Sequence, residues 1–349
     1  MKKLLEKLIS FKTVDDNKEF IDCFNFIKKY LDNSNLYFKE YTYKDKTSLV
    51  ISNTKSKKLD IIFCGHIDVV PGNSKQFKAK TTGNTMYGRG TYDMKGHDAV
   101  MIKLMKNLNT NYKVALFLTS DEEYGGFKGT NILLNKKGYT SKLAIVPDGG
   151  NNFNLIEEEK GVLQLEISYK GKPAHASTPY LGINAIDKLM DIYKKIIKIY
   201  PLPKNDKDFI TGVNLGYISG GDYINRVPSF AKMGLDIRHV PGDSKESILN
   251  NIKKLDKNMD IKILEQGYEF KYLENDLSKE YLDIAKKVLK RKITVSKCES
   301  ASDARFFYKN NISTIIMNAK GFDMHGDNEY IELDSLNKLY EIYSNFVNR

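Results

Sequence analysis

Two histidines and several acidic residues stand in short polar motifs along the chain, and their side chains are of the types that bind zinc. The motifs are GHIDVVP with His66 and Asp68, GRGTYDMKG with Asp93, TSDEEYGG with Glu122 and Glu123, KLAIVPD with Asp148, and MHGDNEY with His325. A catalytic zinc site combines imidazole and carboxylate ligands and leaves one position open for water. A single histidine at a strand end is more often structural, but the acids around these two histidines favour metal-assisted hydrolysis.

Two cations in one site need a bridging carboxylate and separate terminal ligands, at a spacing of about 3.5–4 Å. The available side chains form two sets, His66, Asp93 and Asp148 for one cation, and Asp93, Glu123 and His325 for the other. Neighbouring side chains at a strand end diverge, which leaves Glu122 free to act as general base on a bound water. The residues therefore predict two Zn²⁺ ions, with Co²⁺ or Mn²⁺ as substitutes.

The elements that must position these residues follow an alternating pattern in the first half of the chain. Short apolar runs at 59–66, 112–120 and 142–148 are typical of strands buried on both faces, and 93–108 has the apolar spacing of a helix. This order predicts an α/β sheet. Because ligands bind at the carboxyl ends of strands in such sheets, the polar residues that follow each run are expected to converge.

The pattern changes near Gly161, where the alternation of a half-exposed antiparallel strand begins. The predicted elements are strands at 162–171, 209–219, 230–239 and about 260–266, with helices at about 182–199 and after Asp243. A β-α-β-β-α-β run of this kind can form its own layer. The alternation of strands and helices seen in the first half then resumes, with a helix at 277–290, a strand at 312–318 and a helix at 332–347. We therefore predict a discontinuous catalytic domain, 1–161 and 271–349, with a smaller domain, 162–270, inserted in it.

Composition narrows the class of protein. Lys and Arg exceed Asp and Glu by 55 − 44 = 11 in 349 residues, but the lysines are scattered, so a solvated surface is favoured over nucleic-acid binding. There is no apolar run of about 18 residues, which argues against a membrane span. The three cysteines are far apart in sequence and predict thiols in a reducing compartment. The first residues read as an amphipathic helix of a cytoplasmic protein.

Five motifs in this order resemble the co-catalytic zinc amidohydrolase and peptidase family, which includes succinyl-diaminopimelate desuccinylase, acetylornithine deacetylase, glutamate carboxypeptidases and several dipeptidases. The motifs are GHIDVVP, GRGTYDMKG, TSDEEYGG, KGKPAHAS and HGDNEY, and the resemblance spans nearly the whole chain. It implies an α/β fold, with a mixed-sheet zinc-peptidase catalytic domain and an inserted α+β, ferredoxin-like lid and dimerisation domain, and hence a homodimer.

The resemblance also implies roles for individual residues. The expected metal ligands are His66, Asp93, Glu123, Asp148 and His325, with Asp93 as the bridge. Asp68 is expected to orient a ligand, Glu122 to act as base, and the peptide after Asp93 to be cis.

Further candidates lie in the inserted segment. The resemblance implies that His175 in KGKPAHAS steadies the oxyanion, in its own or the partner subunit, and that Asn225 and Arg238 contact the substrate. An arginine fork suits a carboxylate through paired hydrogen bonds. Asp303 and Arg305 in SASDARFF match a family segment near the site without an assigned role, while His97 and His239 are predicted to be structural.

The choice of substrate divides the family. Asp148 and the segment VPDGGNNFNLIEEEKG are typical of dipeptidases, whereas the modest length and compact insertion are typical of deacylases. We predict a peptidase for dipeptides or short peptides, with an N-acyl-amino-acid deacylase as the alternative. A non-catalytic homologue that binds a peptide or amino acid is a third hypothesis, although every expected catalytic position is filled.

Overall fold

The computed structural model describes residues 1–32, 34–205 and 207–348. These residues form two compact units. The first comprises Met1–Glu157, Lys271–Cys298 and Ser302–Arg349, and the second comprises Glu158–Phe270 and Glu299–Ala301. Within the described ranges, no helix has both the length and the apolarity needed to cross a membrane.

The helices are α1 (Lys2–Ser10), α2 (Asn17–Tyr30), α3 (Lys95–Lys106), α4 (Thr130–Asn135), α5 (Ala185–Ile199), α6 (Lys245–Lys253), α7 (Asp276–Leu289), α8 (Ala304–Lys309) and α9 (Leu333–Val347). The strands up to residue 145 are β1 (Tyr37–Tyr43), β2 (Lys46–Ser52), β3 (Lys58–His66), β4 (Lys80–Thr82), β5 (Thr85–Tyr87), β6 (Val114–Thr119) and β7 (Thr140–Ile145). The later strands are β8 (Leu155–Glu159), β9 (Gly161–Lys170), β10 (Gly212–Gly220), β11 (Phe230–His239), β12 (Met259–Gly267), β13 (Phe270–Lys271), β14 (Val295–Cys298), β15 (Ser313–Ile315), β16 (Gly321–Phe322) and β17 (Tyr330–Glu332).

A six-stranded mixed sheet forms the centre of the first unit, in the order β1-β2-β6-β3-β7-β15. Strands β6, β3, β7 and β15 run parallel, whereas β2 is antiparallel to β1 and β6. Every residue of β6 is buried, as expected of a strand covered on both faces. The carboxyl ends of β3 and β6 lie side by side, because His66 is the register partner of Thr119. The mixed α/β fold predicted from the sequence is confirmed.

Helix α3 packs against this sheet and is buried along nearly its whole length. Its close approach to β3 depends on Gly65, because a Cβ at that position would come within 2.1 Å of Asp98 Oδ1 and 2.7 Å of the Met101 methyl group. The helix that follows Asp93 is therefore seated directly behind the strand that ends at His66.

The second unit is a four-stranded antiparallel sheet in the order β10-β11-β9-β12, with α5 and α6. Alternate residues of β9 are buried, so one face of the strand contributes to the core of this unit. Asn184 and Ser244 cap the two helices through side-chain hydrogen bonds to backbone N–H groups. The elements follow the β-α-β-β-α-β order that the sequence pattern predicts.

Two small sheets complete the first unit, β13-β8-β14 and β16-β17-β5-β4. The second of these supports two loops, 88–94 between β5 and α3, and 323–329 between β16 and β17. These loops carry Asp93 and His325.

Candidate metal centre

The five predicted metal ligands all belong to the first unit and lie at the ends of its elements. His66 is the last residue of β3, Asp148 follows β7, and Glu123 lies in the 3₁₀ turn Glu122–Tyr124 after β6. Asp93 precedes α3, and the Asp93–Met94 peptide is cis. His325 lies between β16 and β17 with a positive φ of 64°.

Asp93 lies between the two histidines and directs one carboxylate oxygen to each. Its Oδ1 is 3.1 Å from Nε2 of His66, and its Oδ2 is 2.9 Å from Nε2 of His325. Nε2 of His325 is also 3.2 Å from Oε2 of Glu123, and Nε2 of His66 is 3.8 Å from Oδ2 of Asp148. One carboxylate flanked by two imidazoles, each with a further carboxylate, is the arrangement that two bridged cations require.

The donor atoms themselves fit a cation. His66 and Asp93 are almost completely buried. Among the described residues, Nε2 of His66 and Oε1 of Glu123 are buried without a hydrogen bond of good geometry. Two groups of ligand atoms lie mutually within 4.8 Å, His66–Asp93–Glu123 and His66–Glu122–Asp148. Buried nitrogen and oxygen acceptors that face one another are expected where a positive ion binds.

The pKa values of His66, His325 and Asp93 also indicate surroundings that favour positive charge. Burial lowers the pKa of His66, but the carboxylates of Asp68 and Asp93 beside the ring outweigh this effect and raise the pKa well above the usual value. Hydrogen bonds to Asp93 and then Glu123 raise the pKa of His325 to about 10. Burial works against ionisation of Asp93, yet His325 and His66 hold its pKa below the usual value. These shifts share one cause, the carboxylates gathered around the two histidines, and the same carboxylates would favour a bound cation.

Asp68 connects two of the elements that meet at the site. It is fully buried, and its Oδ2 accepts a hydrogen bond of 3.0 Å from the backbone N–H of Glu123. Nδ1 of His66 lies 3.0 Å from the backbone carbonyl of Asp68 and 3.5 Å from its Oδ1. We assign the imidazole hydrogen bond to the carbonyl because that distance is the shorter. This bond leaves Nε2 of His66 facing the site.

Glu122 lies beside the group formed by His66 and Asp148. Burial, followed by the negative charge of Asp148, raises the pKa of the Glu122 carboxyl well above its usual value. A carboxyl group with a raised pKa next to metal ligands has the proton affinity that a general base needs near neutral pH.

Glu329 and Arg89 are site residues that the sequence reasoning missed. The Glu329 carboxylate accepts backbone N–H bonds from Gly90, Tyr92 and Asp93 at 2.9–3.1 Å. Nη1 of Arg89 forms a buried ion pair of 2.8 Å with it. These contacts fix the loop that presents Asp93. Arg89 lies in the motif GRGTYD and Glu329 in the motif HGDNEY. Their opposite charges were the one feature of the sequence that could have indicated the pair.

The second unit contains His175, predicted to steady the oxyanion, and the two predicted substrate contacts, Asn225 and Arg238. His175 is exposed, with Nδ1 2.8 Å from the Ser177 hydroxyl oxygen. The Asn225 carbonyl accepts a hydrogen bond from Ala176 N–H at 3.0 Å. Arg238 donates to both oxygens of Asp236, at 2.7 and 3.2 Å, so its fork is bound to a carboxylate of its own sheet.

The two histidines predicted to be structural are both buried. Nε2 of His97 accepts a hydrogen bond from Ala319 N–H at 3.1 Å, and burial lowers the pKa of His97 to about 4. Nδ1 of His239 lies 3.7 Å from Glu269.

The sequence of the chain is similar to known proteins over most of its length. The model of peptidase family M20/M25/M40 matches residues 62–349. A LysW-lysine/LysW-ornithine hydrolase of Sulfurisphaera tokodaii is 36% identical over 233 residues, which are 66% of this chain and 64% of that protein, just under two thirds of its length. A succinyl-diaminopimelate desuccinylase of Aliarcobacter butzleri is 27% identical over 99% of this chain and 98% of its own.

Solved structures share the fold at low sequence identity. The aminopeptidase PepT of Bacillus cereus has a TM-score of 0.79 at 20% identity, covering 99% of this chain and 97% of its own. The YXEP protein of Bacillus subtilis, described as a dinuclear metal-binding peptidase, has a TM-score of 0.69 at 13% identity and covers 99% of both chains.

Proposed function

We propose a reaction for this chain, which belongs to peptidase family M20/M25/M40 and is a metal-dependent hydrolase of amide bonds. It cleaves a small carboxylate-bearing substrate with a two-zinc centre, and Glu122 is the general base. The observation that carries this proposal is the Asp93 carboxylate, whose oxygens face Nε2 of His66 and Nε2 of His325 at 3.1 and 2.9 Å. His66, Asp93 and Asp148 would hold one ion, and Asp93, Glu123 and His325 the other.

The chain's own residues account for the proton transfers. When bound, the two cations would lower the pKa of a water molecule and polarise the scissile carbonyl. Glu122 accepts the proton of the attacking water and passes it to the departing amine. Asp68 holds His66 and Glu123 in place, and Glu329 holds Asp93, so these ligands are oriented before substrate arrives.

The second unit is assigned to substrate recognition in this proposal. His175 steadies the developing oxyanion, while Asn225 and Arg238 contact the substrate. Because Arg238 is bonded to Asp236, binding of a substrate carboxylate by Arg238 has to exchange one carboxylate partner for another.

The second unit would also serve as lid and dimerisation surface. Sedimentation of the purified protein tests the homodimer, and a monomer at micromolar concentration would contradict it.

Two substrate classes remain in competition. The sequence reasoning favoured dipeptides or short peptides, whereas the relatives named above are a desuccinylase and a hydrolase of LysW-linked lysine and ornithine, which favour the alternative of a bond between an acyl group and an amino acid. We therefore place N-acyl amino acids beside dipeptides and short peptides as the proposed substrates. The cytoplasm is the proposed location, in keeping with the thiol state of Cys23 and Cys64, which are buried.

A substrate panel with the zinc-loaded protein tests the proposal. Dipeptides, N-acetyl amino acids and N-succinyl amino acids are compared by kcat/KM. Turnover of one class at least tenfold above the others identifies the substrate type. Tight binding of a peptide or amino acid without any turnover would instead support the non-catalytic homologue.

A further inference from the structure

Two buried residues of the first unit contact the turn that carries Glu122 and are not used in the mechanism above. Asp303 and Arg305 lie at the start of α8 and are only 2% and 6% exposed. Nη2 of Arg305 donates to the carbonyl of Gly125 at 2.8 Å. Oδ2 of Asp303 accepts from the hydroxyl of Thr130 at 2.5 Å. One end of α8 therefore contacts both the turn and the first residue of α4.

The turn needs such contacts because glycines form its second half. Gly125 and Gly126 have φ values of 94° and 66°, a region that glycine adopts readily and exchanges readily for others. Within the turn, Gly125 N–H bonds the Glu122 carbonyl and Gly126 N–H bonds the Asp121 carbonyl, both at 2.7 Å. These local bonds close the turn, and the bond from Glu123 N–H to Oδ2 of Asp68 ties its first half to the rest of the unit.

The fit between the turn and α8 is close. A Cβ on Gly126 would lie 2.0 Å from Oδ1 of Asp303 and 2.8 Å from the ring of Phe306. The rings of Phe127 and Phe306 meet edge to face, with centroids 5.2 Å apart. The backbone just after Glu122 therefore rests directly on α8.

The polar side chains at this contact are not fully satisfied. Among the described residues, Oδ1 of Asp303 and Nε of Arg305 are buried without a hydrogen-bond partner. Buried charged groups that leave hydrogen-bonding capacity unused are a poor source of stability, and an apolar contact would serve packing better. Directional hydrogen bonds suit another role, in which Arg305 fixes the Gly125 carbonyl and Asp303 fixes the start of α4.

We propose that Asp303 and Arg305 are positioning residues that hold the 122–126 turn, so that Glu122 reaches the attacking water while Glu123 stays on its cation. This inference rests on the proposed function for its catalytic consequence. A displacement of about 1 Å in a reacting group can cost roughly 100-fold in rate. Loss of either contact should therefore lower kcat more than it alters substrate affinity.

Steady-state kinetics of the zinc-loaded protein test the catalytic consequence. For Arg305→Met we expect kcat to fall about 10- to 100-fold, with KM within threefold of wild type and the metal content unchanged. Arg305→Lys should recover part of kcat, because one ammonium donor can still reach the Gly125 carbonyl. Lys309→Met removes a positive charge at the exposed end of the same helix and is the control with unchanged kcat.

Three results would overturn the inference. These are a kcat of Arg305→Met equal to wild type, a rise in KM alone, which would mean direct contact with substrate, or loss of metal, which would mean a role in ligand binding. Thr130→Val removes the hydroxyl that Asp303 accepts from and should lower kcat in the same direction.

Hydrogen exchange of the metal-free protein tests the restraint without any reaction. In Arg305→Met the amides of 121–130 should exchange at least tenfold faster than in wild type, whereas those of α3 stay unchanged. If wild type hydrolyses nothing in the panel, the proposed function fails and the exchange experiment still decides whether α8 holds the turn. Unaltered exchange in 121–130 would remove the restraint itself.

Discussion

At the level of single residues, the proposed function depends on two adjacent glutamates with different environments. Oε2 of Glu123 lies 3.2 Å from Nε2 of His325, and the backbone N–H of Glu123 donates a hydrogen bond to Asp68. Glu122 lies beside Asp148 and His66, and the pKa of its carboxyl is raised. The proposal assigns metal binding to the first and proton transfer to the second, so the two should respond differently to the same substitution.

Glu122→Gln keeps the shape of the side chain and removes its basicity. We expect it to bind two cations like wild type and to lose about 10²- to 10⁴-fold in kcat. Glu123→Gln, its neighbour, should instead lose metal. Metal analysis and steady-state rates of both variants check this, and near-normal turnover in Glu122→Gln would exclude it as the base.

Glu329 should matter for stability as well as for activity. Glu329→Ala leaves Arg89 buried without its carboxylate and three backbone N–H groups without their acceptor. We expect a loss of about 3–5 kcal/mol in the free energy of unfolding, together with weaker metal binding. Glu332→Ala, which breaks the more exposed ion pair with Lys320, is the control and should cost about 0–1 kcal/mol. Equal costs in urea titrations would refute a special role for Glu329.

Among the helices and strands, the sequence predicted those whose burial requires a regular spacing of apolar residues. The runs at 59–66 and 112–120 became β3 and β6, and the helix at 93–108 became α3, because strands and helices covered by a core need continuous or periodic apolar residues. Three of the predicted ligands, His66, Glu123 and Asp148, were recognisable because they stand at or just after the end of such a strand.

Other elements have no such pattern. Strands β4, β5, β16 and β17 contain two or three residues each, too few for any periodicity, yet their sheet supports the loops of Asp93 and His325. Glu329 and Arg89 are 240 residues apart, and only the folded chain shows that they pair. The role of the turn after β6 likewise depends on contacts with α8 that no local pattern indicates.

Helix α3 carries a pH-sensitive contribution to stability through His97. Its pKa falls from about 6.5 to about 4 on folding because the ring is buried, so the unfolded chain binds more protons between these values. The contribution of His97 to the free energy of unfolding is fully present above pH 6.5. It is lost as the pH falls towards 4, by about 3 kcal/mol in total. His97→Gln should reduce this loss.

Urea unfolding of the metal-free proteins at pH 7 and pH 4.5, followed by circular dichroism, measures the difference. Metal-free protein is used because acid also displaces cations from histidine ligands. A wild type and a His97→Gln variant that lose equal stability over this range would contradict the assignment.

In the molecule as a whole, the candidate metal centre joins parts of the first unit that are remote in sequence. Its predicted ligands come from the ends of β3, β6 and β7 and from two loops of a second sheet. A cation bound among them stabilises only the folded chain, by about 4 kcal/mol at a thousandfold excess over its Kd.

Chelation should therefore lower the Tm of the protein, and added Zn²⁺ should restore it. Asp93→Ala should abolish the difference, because the bridging carboxylate is lost. Thermal unfolding with and without chelator measures this, and a wild-type Tm that does not respond to metal would contradict a shared centre.

Anomalous diffraction at the zinc edge from crystals of the zinc-loaded protein would locate the two proposed ions. We expect two peaks about 3.5–4 Å apart, one on each side of the Asp93 carboxylate, with His66 at one and His325 at the other. A single peak, or zinc bound away from Asp93, would contradict the proposed two-zinc centre.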